Sequence, residues 1–220
     1  MITIDGPAAA GKSTTAREVA RRLGCLYLDS GAMYRAFALK VERLGLSASL
    51  DDSGRIGALA HATTIRFTGP NDSPRVVLDG APLGEEIRTP AISDLSSRVA
   101  ALPEVRGRMA ELQRAIAARQ CLVAEGRDMG TVLFPDAPVK IYLDASLEER
   151  ARRRERELTE RGLPADADQV RRDIEQRDRR DRERAVAPLV PAADAVVIDT
   201  TGHSIDEQVA AVLRAIEART

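Results

Sequence analysis

Short apolar runs alternate with longer amphipathic stretches along most of this chain. Residues 1–5, 25–28, 121–124, 139–143 and 195–198 each read as a brief strand of near-continuous apolar character. Such runs suit a sheet covered on both faces. Between them the spacing predicts helices over 14–23, from near 31 to 44, over 90–100 and over 105–119, with Pro103 interrupting the last two. Two highly charged helices follow over 147–160 and 168–184, separated by Gly162 and Pro164, and a closing helix covers 204–219. Asp29-Ser30 and Asp51-Asp52-Ser53 are caps for the helices they precede. Strands alternating with helices in this order predict an α/β fold, a five-stranded parallel sheet flanked by helices.

One segment breaks the rhythm. Residues 64–68 and 75–78 read as a hairpin around the turn 68–73, Asp79-Gly80 makes a second turn, and 81–83 fit a third, very short strand. The expected organisation is therefore a core of 1–56 and 101–220 carrying an inserted subdomain at 57–100 with its own short antiparallel sheet. The charged hairpin around Gly162-Leu163-Pro164 is a candidate helical lid at 148–166 within the core.

The sharpest chemical signal lies between the first strand and the first helix. Gly6-Pro7-Ala8-Ala9-Ala10-Gly11-Lys12-Ser13-Thr14 contains G-x-x-x-x-G-K-S in the strand–loop–helix context its mechanism needs. Loop amides and the helix N-terminus form a socket for nucleotide phosphates. Lys12 is placed to reach the outer phosphates, and the Ser13 hydroxyl to hold Mg²⁺.

Composition narrows the partners. The 220 residues are 44% apolar and 30% charged, with a formal net charge of −1, which gives no basic excess for a nucleic-acid binder. No apolar run reaches membrane-spanning length, and the first strand leaves no room for a signal peptide. Cys25 and Cys121 both adjoin apolar residues and read as buried free thiols of a reducing compartment, which points to the cytoplasm. His61 and His203 lack companions at metal-ligand spacing.

The loop alone does not say where a phosphate goes. There is no Asn-Lys-x-Asp guanine reader and no long apolar strand ending in Asp-Glu. Arginines instead recur in irregular contexts, at Arg35, Arg88, Arg106, Arg127, Arg177 and Arg184. Fixed guanidinium groups suit an enzyme that must hold two charged nucleotides against their mutual repulsion. The run from Leu28 to Arg35 follows the second strand, at the sheet edge where open α/β sheets bind ligands. There Tyr34 and Arg35 read equally as pocket wall and phosphate donor or as parts of an ordinary capped helix. In Glu125-Gly126-Arg127-Asp128, Gly126 permits close approach, Arg127 can clamp a phosphate and Asp128 can accept from an exocyclic amine; a local Arg–Asp pair is the alternative. The arginines of 150–156 and 177–184 are interspersed with acids, as on solvated helix faces, yet Arg177, Asp181 and Arg184 share one face and can project into a pocket. A closing lid would keep water from the transferring group.

These runs together resemble the bacterial cytidylate kinase family, within the nucleoside monophosphate kinase group of P-loop kinases. TIDGPAAAGKST, LDSGAMYR, GEEIRT, EGRDMGTVLFPDAPVKIYLDAS and RDRRDRERAVAPLVPAADAVVIDT carry the resemblance across essentially the whole chain. The hairpin insertion is typical of the bacterial form. The resemblance implies ATP as phosphoryl donor, Mg²⁺, CMP or dCMP as acceptor and a monomeric enzyme. It implies that Ser30, Tyr34 and Arg35 line the acceptor pocket, with Asp128, Arg106 and Ser97 reading the base and Arg127 beside them. Arg177 would grip the acceptor phosphate, Asp181 the pentose hydroxyls, and Arg184 the same cluster. Arg150, Arg153 and Arg154 match the lid arginines. The chain has Ala8 and Ala9 where the family often has Ser and Gly, and Ser13 where Gly is frequent. An Ala9 held at positive φ would cost about 1 kcal/mol. Alternatives are a kinase for UMP, dTMP or shikimate, a non-catalytic nucleotide switch and, more remotely, a nucleic-acid-binding protein.

Overall fold

The computed structural model describes residues 1–118 and 121–219. Among them, β1 (Ile2–Asp5), β2 (Leu26–Asp29), β6 (Leu122–Gly126), β7 (Val139–Asp144) and β8 (Val196–Asp199) form a parallel sheet in the order β2-β6-β1-β7-β8. The expected five-stranded sheet is there. Helices α1 (Lys12–Leu23) and α8 (Ile205–Glu217) cover one face, where Val19, Val209 and Val212 meet Ile4, Val123 and Ile141. On the other face α2 (Ser30–Arg43), α4 (Pro90–Val99) and α5 (Pro103–Ala117) bring Phe37, Ile92 and Met109 against Leu28 and Leu122.

Local signals set the helix starts. The Asp29 carboxylate accepts from the Ala32 N–H at 2.7 Å, and Ser204 with Glu207 makes a capping box on α8. The expected break at Pro103 is there, with α4 ending at Val99; Pro103 itself opens α5, two residues before the expected start, in the first turn where its missing N–H costs nothing. The expected end of this helix at Arg119 lies outside the described residues.

Between α2 and α4 lie α3 (Ser53–His61) and an antiparallel sheet of β3 (Ile65–Thr68), β4 (Arg75–Leu78) and β5 (Ala81–Pro82). Its buried side chains Ile65, Val76 and Leu78 join the same apolar cluster as Phe37. The hairpin tip reaches back to the core, where the Asn71 carbonyl accepts from the Tyr27 N–H at 2.8 Å. That bond occupies the free edge of β2, which would otherwise offer unpaired backbone groups. The charged helices α6 (Leu147–Glu160) and α7 (Ala167–Glu183) form a hairpin stitched by Leu158, Val170 and Ile174.

Two sequence expectations change. Glu125 and Gly126, expected in a loop, complete β6, and a π-helical turn follows at Met129–Leu133. The cysteines are not free: Cys25 and Cys121 form a disulfide with their Cα atoms 4.8 Å apart. The 96-residue separation hid that β2 and β6 are neighbours, with Leu26 opposite Leu122 one residue further on. Cys121 is exposed rather than buried, and the bond removes the argument for a reducing compartment. A bridge closing so long a loop stabilises by about 2–4 kcal/mol. Denaturant unfolding with and without reductant should therefore show a lower midpoint when the pair is reduced. Identical midpoints would mean that the bridge contributes nothing.

Candidate functional site

The phosphate loop is built by backbone geometry that side chains would obstruct. Gly6 has φ 149°, and a Cβ there would meet the Leu143 carbonyl oxygen at 2.0 Å. Gly11 has φ 89°, and a Cβ would strike the buried Gln208 amide oxygen at 2.3 Å. Gln208 also accepts from the Thr15 hydroxyl at 3.1 Å and donates to the His203 carbonyl, so it ties the first turn of α1 to the loop before α8. Lys12, buried at the start of α1, donates to the Pro7 carbonyl at 2.5 Å. Burial, then the nearby Arg127 charge, lowers its pKa to about 7. Ser13 and Thr14 are exposed on the first turn, at the positive end of the helix dipole.

Ala9 does adopt positive φ, at 59°. That conformation costs about 1 kcal/mol, and the residue is half-buried. Its methyl group packs on the cluster of Leu158, Val170 and Ile174 inside the charged hairpin.

Facing the loop across the sheet edge are two groups of charges. In the first, Arg35 pairs with Asp29 at 2.9 Å and Arg127 with Asp181 at 2.8 Å. Arg177 lies among them, and its Nε has no hydrogen-bond partner among the described residues. Burial, reinforced by the charge of Arg127, lowers Arg177 to about 10, so it stays a cation at neutral pH. Burial pushes the carboxyls of Asp29 and Asp181 up, but their arginine partners outweigh it and hold both below the usual range. In the second group Asp128 pairs with Arg106 and lies 3.6 Å from Arg184, whose Nε donates to the Ala187 carbonyl. The Arg106 guanidinium stands 5.9 Å from the centre of the Tyr34 ring. A cavity of about 270 Å³ opens here, with Tyr34, Arg106 and Asp128 in its wall. Ser97 is buried on α4, and its hydroxyl has no partner among the described residues. Ser30 is buried and donates to the Glu125 carbonyl at 2.6 Å. Gly126 has no room for a Cβ, which would lie 2.7 Å from both the Ser30 hydroxyl and Met129.

Residues 2–218 match the Cytidylate kinase family. The chain belongs to the cytidylate kinase family. It is 50% identical over 213 residues to the cytidylate kinase of Bordetella bronchiseptica, covering 97% of this chain and 93% of the relative. It is also 50% identical over 218 residues to that of Pelotomaculum thermopropionicum, covering 99% and 96%. A crystal structure of an uncharacterized protein from Eubacterium ventriosum shares the fold, with a TM-score of 0.53 at 11% identity over 99% of this chain and 98% of that one.

The three arginines expected to act from the lid, Arg150, Arg153 and Arg154, differ in surroundings. Arg150 is buried, and its guanidinium is committed to the protein: Nε donates to the Ala145 carbonyl at 2.9 Å, Nη1 to Ala8 at 3.2 Å and to Asp178 at 2.5 Å. It staples the phosphate loop to both charged helices. Arg153 donates to the Thr200 hydroxyl and carbonyl at 3.1 and 2.5 Å and borders Gly11. Among the described residues Arg154 pairs only with Glu157, one turn away at 2.7 Å, and its charge acts on Arg177.

Glu125 is a site residue that sequence reasoning quoted but gave no role. It is buried at the end of β6, takes a hydrogen bond from the Tyr27 hydroxyl and lies against Ser13. Burial and then Asp29 raise its pKa. The available signal was an acid ending the strand beside the one that feeds the phosphate loop. Arg150→Ala should cost about 3–5 kcal/mol, because Asp178 is left buried and unpaired, whereas Arg154→Ala should cost less than about 1 kcal/mol. Chemical denaturation of both variants checks this; equal losses would contradict the two roles.

Proposed function

We propose that the chain transfers the terminal phosphoryl group of ATP to CMP or dCMP, giving ADP and CDP or dCDP. The observation that carries this is the match to the cytidylate kinase family over residues 2–218. In this reading ATP lies on residues 6–14, with Lys12 on its outer phosphates. The acceptor phosphate sits among Arg35, Arg127 and Arg177; the Arg177 Nε, without a partner among the described residues, supports this. Asp181 takes the pentose hydroxyls. Asp128, with Arg106, Ser97 and Arg184, reads the base, and Ser30 and Tyr34 complete the wall. The core of 1–56 and 101–220 is the platform, on which 57–100 covers the acceptor and 148–166 covers the donor.

The acceptor phosphate is already ionised near neutral pH, so no general base is needed. One of its oxygens attacks the γ-phosphorus in line, the bond to the bridging oxygen breaks, and ADP leaves. Lys12 and Arg154 meet the charge spread over the transferring group, and positioning does most of the work. Arg153 holds the loop after β8 against the phosphate loop. Ser13 and Glu125 fit Mg²⁺: a hydroxyl and a buried carboxylate, raised by burial and then by its neighbour Asp29, offer a pair of hard oxygen donors side by side. When bound, Mg²⁺ neutralises phosphate charge there. The reading includes a monomer. Among the described residues no helix is long and apolar enough to cross a membrane.

A coupled ADP-release assay across CMP, dCMP, UMP, dTMP and shikimate tests the assignment. CMP and dCMP should dominate; ATP binding without turnover on any acceptor would favour a switch. Lys12→Ala should lower kcat by about 100-fold or more with the fold intact. Asp128→Ala should raise KM for CMP far more than for ATP, and equal changes would remove Asp128 from base selection. Because Lys12 is lowered to about 7 in the free protein, its cationic form thins out as pH rises, and a bound triphosphate restores it. ATP affinity should therefore fall as pH rises above about 7, by at most about tenfold per unit, with proton uptake on binding. Calorimetry in buffers of different ionisation enthalpy reads that uptake; none at alkaline pH would contradict it.

A further inference from the structure

Asp128 occupies the N-cap position of the π-helical turn Met129–Leu133. An aspartate there ordinarily folds its carboxylate back onto the first free N–H groups of the turn. This one makes no cap hydrogen bond and is engaged with Arg106 and Arg184 instead. The cap comes from another strand. Asp5, the last residue of β1, accepts the Met129 N–H on Oδ1 at 2.9 Å and the Gly130 N–H on Oδ2 at 2.8 Å. Asp5 is only 5% exposed, so water cannot readily take its place. The turn it holds is also packed tightly onto the sheet, since a Cβ on Gly130 would lie 2.9 Å from the Thr3 hydroxyl. Asp5 is joined by one peptide bond to Gly6, where the phosphate loop begins.

We propose that Asp5 is a positioning residue for acceptor-base selection: it caps the turn in place of Asp128 and so leaves the Asp128 carboxylate free to face the base. The proposal rests on Asp128 reading the base. It also ties the two halves of the site together, because one carboxylate fixes the base reader relative to the loop that holds the donor. Without Asp5, two buried amides lose their acceptor, and the nearest replacement along the chain is the Asp128 carboxylate itself. Turning inward to cap the turn, Asp128 would abandon Arg106 and the base.

The test is a double-mutant cycle of Asp5→Asn, Asp128→Ala and the double variant, with kcat and KM measured for CMP, UMP and ATP. Asp5→Asn should raise KM for CMP by about tenfold, the worth of one lost hydrogen bond to a charged group. KM for ATP should stay nearly constant, and the preference for CMP over UMP should fall toward that of Asp128→Ala. In the double variant, loss of Asp5 should add nothing further to that preference. An unchanged CMP preference in Asp5→Asn, a KM for ATP that rises in step, or additive losses would each overturn the proposal. Full CMP preference in Asp128→Ala would instead overturn the base-reading assignment, and the proposal with it. Amide exchange followed by NMR on the unmodified protein stands independently of whether the variants fold. Met129 and Gly130 should be protected like the strands of the sheet; exchange at the rate of open amides would overturn the cap.

Discussion

Arg35, Arg127 and Arg177 are held together at one edge of the sheet, the first two in direct ion pairs with Asp29 and Asp181, while Asp178 and Glu125 act on Arg127 from further off. This cluster of fixed positive charge is the constraint on which the rest of the site depends. Half-buried guanidinium groups held close repel one another, and the depression of Arg177 to about 10 reflects burial first and the charge of Arg127 second. A fold can tolerate such an arrangement when a tightly packed frame holds the groups in place and an arriving anion relieves the conflict. Arg127 follows directly on β6, which is buried along its length, while Arg177 lies on α7 and Arg35 on α2. Three separate elements must therefore be assembled before these guanidinium groups meet.

The frame achieves this through close backbone approaches and a few buried polar ties. Gly6, Gly11 and Gly126 each stand where a side chain would collide with a neighbouring segment. Gln208 joins α1 to the loop before α8, Arg150 joins the phosphate loop to the charged hairpin, and Asp5 joins β1 to the turn after β6. Each tie spans many residues of sequence, so each depends on the finished topology. Ala9 shows the same coupling in apolar form: its strained backbone places a methyl group on the hairpin's small core.

Much of this was legible in the sequence because the signals are local. The alternation of strands and helices, the phosphate loop, the cap at Asp29 and the hairpin around residues 68–73 all depend on neighbours within a few positions. The interactions that escaped are those between distant segments. The Cys25–Cys121 bond needs the pairing of β2 with β6, and the roles of Glu125 and Asp5 need the order of strands around β1. Arg150 matched a lid position, yet its guanidinium is spent on Ala8, Ala145 and Asp178, which no spacing rule within one helix could reveal. Helix periodicity marks a face, and only the packed fold says what that face meets.

If the clustered charge is what captures the acceptor, its affinity must reside mainly in the phosphate. Calorimetric titration of the protein and of Arg177→Ala with CMP and with cytidine tests this most directly. The account predicts that CMP binds the unaltered protein about 100-fold more tightly than cytidine, the worth of two charge-assisted hydrogen bonds, and that most of this advantage disappears in Arg177→Ala. Equal affinity for CMP and cytidine, or an advantage untouched by loss of Arg177, would contradict it.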